Sequence, residues 1–412
     1  MELRKLSSVA VVSALAFAAC SGIGASSAPS GGASGGSSAG ASGGSSAGAS
    51  GGASAGASGG ASSGDTSKGE VQIAVELPFQ GSDKAASDPI LNGIRLAVKE
   101  AGEAAGGYKV TVPNGAVFDD ALNGAHDPQT GANNMTKIVS DDAFIAVIGP
   151  VNSSVAKAQI PISNAAGLLQ CSPSNTNTAL TIGPDAAQLR TKPNNYVRVV
   201  TNDAIQGPAA AKYIIDELKK KSVYIIDDTE TFGKGIADTF EKDFVARGGT
   251  VVKHDAAPKT TQDYVSIMTA AKALNPESIY FGGVTASGGA RILLAAQQVG
   301  LGDIPYVGPD GINDGSGATK DSFLNLASEK AKNSYSTLAG PGTFEGKETF
   351  DKAYMAEYGI DATGYAGQGY ACTQVVLDAL NRASASNPAD MASLREAVRV
   401  AGTDTTHEYS LN

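Results

Sequence analysis

Three histidines, three cysteines and a few clustered carboxylates are the residues of this 412-residue chain with the chemistry to catalyse or to hold a metal. His126, His254 and His407 belong to no nucleophile or ligand spacing. Asp119, Asp120, His126 and Asp127 come nearest to a cation cluster, yet a strand-end loop running into a helix cap accounts for them better. Gly342-Thr-Phe-Glu-Gly-Lys347 has the look of a phosphate loop but is one residue short and lacks the Ser or Thr that follows the lysine. Gly44-Ser-Ser46-Ala-Gly48 matches a hydrolase nucleophile spacing, but it sits in a Gly/Ala/Ser tract with no strand before it and no helix after it. Cys20, Cys171 and Cys372 form neither a disulfide framework nor a metal-ligand pattern. Cys171 and Cys372 read as two separately buried thiols, with a bridge between them left open. The expectation is a non-enzyme with no metal and no cofactor.

The charge balance narrows the partners. Thirty-one basic against 41 acidic residues give −10, and no basic cluster follows the first five residues, so nucleic acid is not an expected partner. Tryptophan is absent and aromatics are sparse, which disfavours a stacking platform for sugars or bases. Arg4 and Lys5 precede a short apolar run, Val9 to Ala19, too short to span a membrane and suited to a secretory signal over residues 1–20. Its end, Leu15-Ala16-Phe17-Ala18-Ala19-Cys20, resembles the lipobox of bacterial lipoproteins, although Phe17 departs from the usual Leu or Val. That resemblance implies acylation of Cys20 and an extracytoplasmic, membrane-anchored protein. Residues 21–68 are almost wholly Gly, Ala and Ser and read as a flexible tether. Coil statistics give it an end-to-end distance of about 35–40 Å.

The elements that must position any site begin at Val71. Val71–Val75 reads as a buried strand, and Asp88-Pro89 as the N-cap and first residue of a helix. A strand near Tyr108 follows, then a helix opened by Asp127-Pro128, then the continuous apolar run Phe144–Ile148 of a parallel strand covered on both faces. The alternation continues through strands near 222, 250, 278 and 305 and the helices between them. Repeated strand–helix units imply α/β architecture with doubly wound parallel sheets, and their number implies two lobes. Ligands of such sheets lie beyond the carboxyl ends of the strands.

The strand-end loops carry a resemblance. Phe118-Asp-Asp120, Asp127-Pro128, Val147-Ile-Gly-Pro150 with Asn152-Ser-Ser154, Gln206–Tyr213, Tyr280-Phe-Gly-Gly283 and Val307-Gly-Pro-Asp-Gly311 together resemble the leucine/isoleucine/valine-binding proteins of bacterial ABC importers. The resemblance runs from about Gly69 to the C-terminus and implies the type I periplasmic binding fold, two lobes joined by a hinge. The boundaries it implies are 69–200 and 336–412 for the first lobe and 201–335 for the second. It implies an extracytoplasmic solute-binding lipoprotein that takes a branched-chain or related amino acid by hinge closure and delivers it, as a monomer, to a membrane permease. A ligand-sensing receptor of the same fold, or an importer subunit for amides, urea or another small carboxylate solute, stands as the alternative.

Residue by residue, the resemblance places the ligand carboxylate at Ser153, and a helix N-terminus there suits an anion. Ser174 and Thr176, in the loop Cys171–Thr176, would supply further carboxylate contacts. Asp310 would meet the ligand ammonium by a charge-assisted hydrogen bond, one carbon shorter than the family's usual glutamate. Phe232 and Tyr365 match aromatics near the cleft. Ala86 and Val284 stand where the family has cleft-lining rings, and the loop Gly81–Ser87 departs from its pattern, so a larger or more apolar ligand, or a different one altogether, has room. The ending, Thr406-His-Glu-Tyr-Ser-Leu-Asn412, lacks the family's final return to the second lobe, which leads us to expect a missing third crossover or a truncated sequence, and a less stable hinge.

Overall fold

In the computed structural model, residues 3–5, 66–314, 319–340 and 343–408 are described. Cys20, the leader apart from residues 3–5 and the tether before residue 66 lie outside the described residues, as do residues 409–412.

Two large sheets and a two-stranded one, Ala121–Leu122 against Ala125–His126, hold the described strands. The first runs in the order Tyr196–Arg198, Leu169–Ser172, Phe144–Ile148, Glu70–Leu77, Tyr108–Thr111, with Val117–Asp119 pairing the far half of Glu70–Leu77. These pairings are parallel, and only the short strand Ala104–Ala105 runs antiparallel. The second sheet orders Thr250–Ala256, Ser222–Asp227, Ser278–Gly282, Tyr306–Gly308, Ser334–Thr337, all parallel, with Leu3–Lys5 antiparallel on its edge. In both sheets sequential strands are not all neighbours, so helices cross over and cover the two faces, the doubly wound α/β arrangement. Phe144–Ile148 is buried at every position, as its unbroken apolar run requires, and Ser278–Gly282 is buried throughout as well.

The first helix corrects one expectation. It spans Lys84–Glu100, so Asp88 is not its cap and Pro89 lies inside it. Pro89 still falls early enough that only the bond to the Ala85 carbonyl is forfeited, and Ser87 Oγ ties the first turn to Pro78 O at 2.6 Å. Asp127 does cap its helix, Pro128–Ser140, accepting from Thr130 N at 2.7 Å.

After the second sheet the chain returns to the first. Helices Ala366–Ser384 and Met391–Gly402 pack on Lys84–Glu100 and on the strand Phe144–Ile148. Buried Arg395 fastens this return, donating to Phe144 O at 2.7 Å and Val139 O at 3.2 Å. Cys171 and Cys372 are joined in a disulfide with a Cα–Cα distance of 5.7 Å, which overturns the reading of two separate thiols. The sequence separation of 201 hid a contact that only the return of the chain onto the first sheet creates.

Candidate functional site

The carboxyl ends of both sheets face one cavity of about 720 Å³ that opens to solvent. From the first sheet come the loop after Leu77, the segment 151–154 after Ile148, and the loop after Ser172. From the second come the loops after Asp227, Gly282 and Gly308. Ser153, Ser174, Thr176, Phe232, Asp310 and Tyr365 all line this one space.

Ser153 is the first residue of the helix Ser153–Ala166, and the side chain of its N-cap Asn152 makes no capping bond. The first-turn N–H groups therefore present the positive end of the helix to the cleft. Ser153 is 2% exposed and its Oγ accepts from Asn177 N at 3.5 Å. Thr176 is 1% exposed, with its side chain against the Asp203 carboxyl. Ser174 is more committed: its N donates to Ser172 Oγ and its Oγ to Val151 O. Its hydroxyl proton is thus already engaged. Arg198 holds the loop, donating to Asn175 O at 3.2 Å and Asn177 O at 2.8 Å.

Asp310 stands at the opposite wall. It is 7% exposed, its N donates to Gln206 Oε1 at 3.1 Å, and its Oδ2 accepts from the Tyr365 hydroxyl at 2.6 Å. Its Oδ1 has no partner. Burial pushes the Asp310 carboxyl up to about 6. Burial and the Asp310 charge push the neighbouring Asp203 up to about 8. Tyr365 belongs to the core beneath the first sheet, so its hydroxyl reaches Asp310 from the other half of the molecule. Phe232 is buried early in the helix Thr231–Ala246, with its ring against Gly311, where an added Cβ would lie 3.0 Å from Phe232 Cε1 and 2.4 Å from Gly283 O. The two halves touch around the cavity, where Asn177 Nδ2 donates to Thr231 O at 2.6 Å and Lys259 Nζ to His126 O at 3.2 Å.

Sequence reasoning gave no site role to the acidic part of the lining. Asp83, His126, Asp228, Glu230 and Asp314 also face the cavity. His126 Nδ1 lies 2.9 Å from Asp83 Oδ2, and His126 N donates to the same oxygen. Burial opposes charge on this ring, but Asp83 outweighs it and the His126 pKa rises. Asp228 accepts from Glu230 N at 2.9 Å and Ser287 Oγ at 2.5 Å, and Asp314 accepts from Phe323 N at 3.0 Å. The departure of the loop Gly81–Ser87 from the family pattern was the available signal for Asp83. Nothing local marked Asp314 or His126 as its neighbours. Ala86 and Val284 line the cavity alongside these carboxylates. Among the described residues no group of three or more His, Cys, Asp or Glu is arranged to hold a metal.

Comparison with known proteins agrees with this geometry. A Leu/Ile/Val-binding protein of Rhizobium johnstonii, BraC3, is 28% identical over 327 residues, 78% of this chain and 82% of that protein. The leucine-specific-binding protein of Salmonella typhimurium is 26% identical over 327 residues, with shares of 78% and 82%. The leucine-binding protein LivK of Thermotoga maritima has the same fold at a TM-score of 0.66 and 23% identity, over 80% of this chain and 87% of that one. A Rhodopseudomonas palustris solute-binding protein solved with benzoate matches at a TM-score of 0.61 and 20% identity, over 81% and 85%. The periplasmic binding protein family profile matches residues 70–409. The chain therefore belongs to the periplasmic binding proteins, and it has the type I fold of its solved relatives.

Proposed function

We propose that this protein is the extracytoplasmic solute-binding subunit of an ABC importer and that it takes a zwitterionic amino acid between its two halves. The observation that carries this reading is a pair of unsatisfied poles across one cavity. On one wall is the uncapped helix start at Ser153 with Thr176 beside it; on the other is the unpartnered Asp310 Oδ1. An α-carboxylate answers the first and an α-ammonium the second. Ser153 and Thr176 bind the carboxylate, with Ser174 shaping the loop through its bond to Val151 O. Phe232 packs over the ligand, and Tyr365 orients Asp310 from the opposite half, so the Asp310 contact is complete only when the halves are together. Closure is then the state that the membrane permease recognises.

The lobes expected from the sequence, 69–200 with 336–412 and 201–335, need one shift: Ser336 and Thr337 belong to the second sheet's strand Ser334–Thr337, so the return to the first half begins after Thr337. Secretion with acylation at Cys20 would leave a monomeric body tethered to the membrane, and a Cys171–Cys372 disulfide suits an oxidising compartment outside the cytoplasm. The benzoate complex of a structural relative favours a second reading, a carboxylate solute with no ammonium. Calorimetry against the twenty amino acids, small amides and aromatic carboxylates separates the two. Heat from amino acids alone supports the zwitterion. Binding of a simple carboxylate with no amino acid binding at all refutes it.

A further inference from the structure

Beyond the two poles of an amino acid, the cavity holds more negative charge than one α-ammonium can answer. Five lining residues are carboxylates: Asp83, Asp228, Glu230, Asp310 and Asp314. Two of them have cationic partners, Asp83 with His126 at 2.9 Å and Glu230 with Lys259 at 3.2 Å. Asp310 is the one set against the α-ammonium. Asp228 and Asp314 remain, each held only by neutral donors: a hydroxyl and N–H groups. Among the described residues no Lys or Arg lines the cavity. Asp83 comes from the first half and Asp314 from the second, close enough for the charge of Asp83 to act on Asp314.

A separate observation points the same way. Asn152 lines the cavity, is 6% exposed, and its side-chain oxygen has no donor. A buried acceptor left open calls for an N–H group from a ligand, because leaving it unmade costs its full desolvation. An aliphatic side chain would bury Asp228 and Asp314 further without giving them any partner.

On the reading that the ligand is an α-amino acid, we propose that the far end of the cavity, between Asp83 and Asp228 and Asp314, receives a second cationic group. The ligand class is then a basic amino acid, not the branched-chain ones for which its relatives are named. Burial pushes the Asp228 carboxyl up to about 6 and the Asp314 carboxyl to about 7, as expected for carboxylates that lack a cation. A cationic ligand reverses both shifts, so its binding at neutral pH releases protons.

Lysine against norleucine is the test, since the two differ in the terminal ammonium while sharing the α-carbon and most of the chain. Calorimetry on the full protein should give lysine an affinity at least about ten-fold above that of norleucine. Its apparent enthalpy should vary with the ionisation heat of the buffer. Asp314→Asn, which keeps an oxygen to accept from Phe323 N, should remove most of that preference and leave norleucine within about three-fold. Should that variant melt early, Asp83→Asn makes the same test from the other wall. Norleucine, leucine, isoleucine or valine binding as tightly as lysine overturns the cationic end and leaves the amino-acid reading standing. Failure of every α-amino acid to bind overturns both.

Discussion

Replacing Asp310 by Asn removes one charge from the cleft and little volume. The carboxylate is 7% exposed, takes the Tyr365 hydroxyl on Oδ2, and keeps Oδ1 unpartnered. In Asp310→Asn the amide oxygen can still accept from Tyr365, so the cross-cleft link survives and the ammonium contact is what is lost. Truncating one partner of a buried, hydrogen-bonded charge pair costs about 2–5 kcal/mol. At about 1.4 kcal/mol per decade this predicts an affinity loss of roughly 30- to 4,000-fold for an amino acid. The matching acid without the amino group should lose less than about three-fold, because it presents nothing to that wall. The pH profile carries the same information. With its pKa raised to about 6, Asp310 is mostly ionised at neutral pH and protonated below. Amino-acid affinity should therefore be lost as pH falls through 6, and the variant should flatten that limb for a ligand with an uncharged side chain. Isothermal titration of both ligands against both proteins between pH 5 and pH 8 measures all of this. Equal losses for the amino acid and its desamino analogue, or an unchanged pH limb, would refute the ammonium role.

Three further outcomes are expected. Reducing Cys171–Cys372, or replacing Cys372 by Ser, frees a loop of 201 residues. The chain-entropy relation gives a stability loss of up to about 5 kcal/mol, visible as a lower urea midpoint, and coincident curves with and without reductant would contradict it. Glu76 and Asp120 are buried side by side, and desolvation raises both carboxyls, Glu76 to about 7 from 4.5. Their folded forms hold protons that the unfolded chain has released, so stability is greatest below about 4.5 and declines as pH rises towards 7. Asp120→Asn should stabilise the protein at pH 8 and flatten that decline, and a lower melting temperature there would count against it. Gly311→Ala places a Cβ 2.4 Å from Gly283 O, so it should weaken ligand binding more than it lowers the melting temperature, whereas wild-type affinity would show that the loop relaxes freely.

How much was legible beforehand depends on the range of the interaction. Strand runs such as Phe144–Ile148 and the Asp127 cap are local, and they appear as read. The Asp88-Pro89 signal misled because Pro89 is tolerated a turn inside a helix whose start is set by tertiary packing. Ser153, Ser174, Thr176, Phe232, Asp310 and Tyr365 were carried over from the family resemblance, and all line one cavity. Ser174 was legible as a polar loop residue, but the commitment of its hydroxyl to Val151 O was not.

By itself the sequence determined the alternation of strands and helices, the parallel sheets, the loops where a ligand must sit, and an overall acidic surface. These follow from periodicity, turn chemistry and charge, which act over a few residues at a time. Only the tertiary structure decided that Cys171 meets Cys372, that Asp83 shares a cavity with Asp314, and that Tyr365 reaches across to Asp310. Such pairs lie dozens to hundreds of positions apart, and chain closure, not local preference, brings them together.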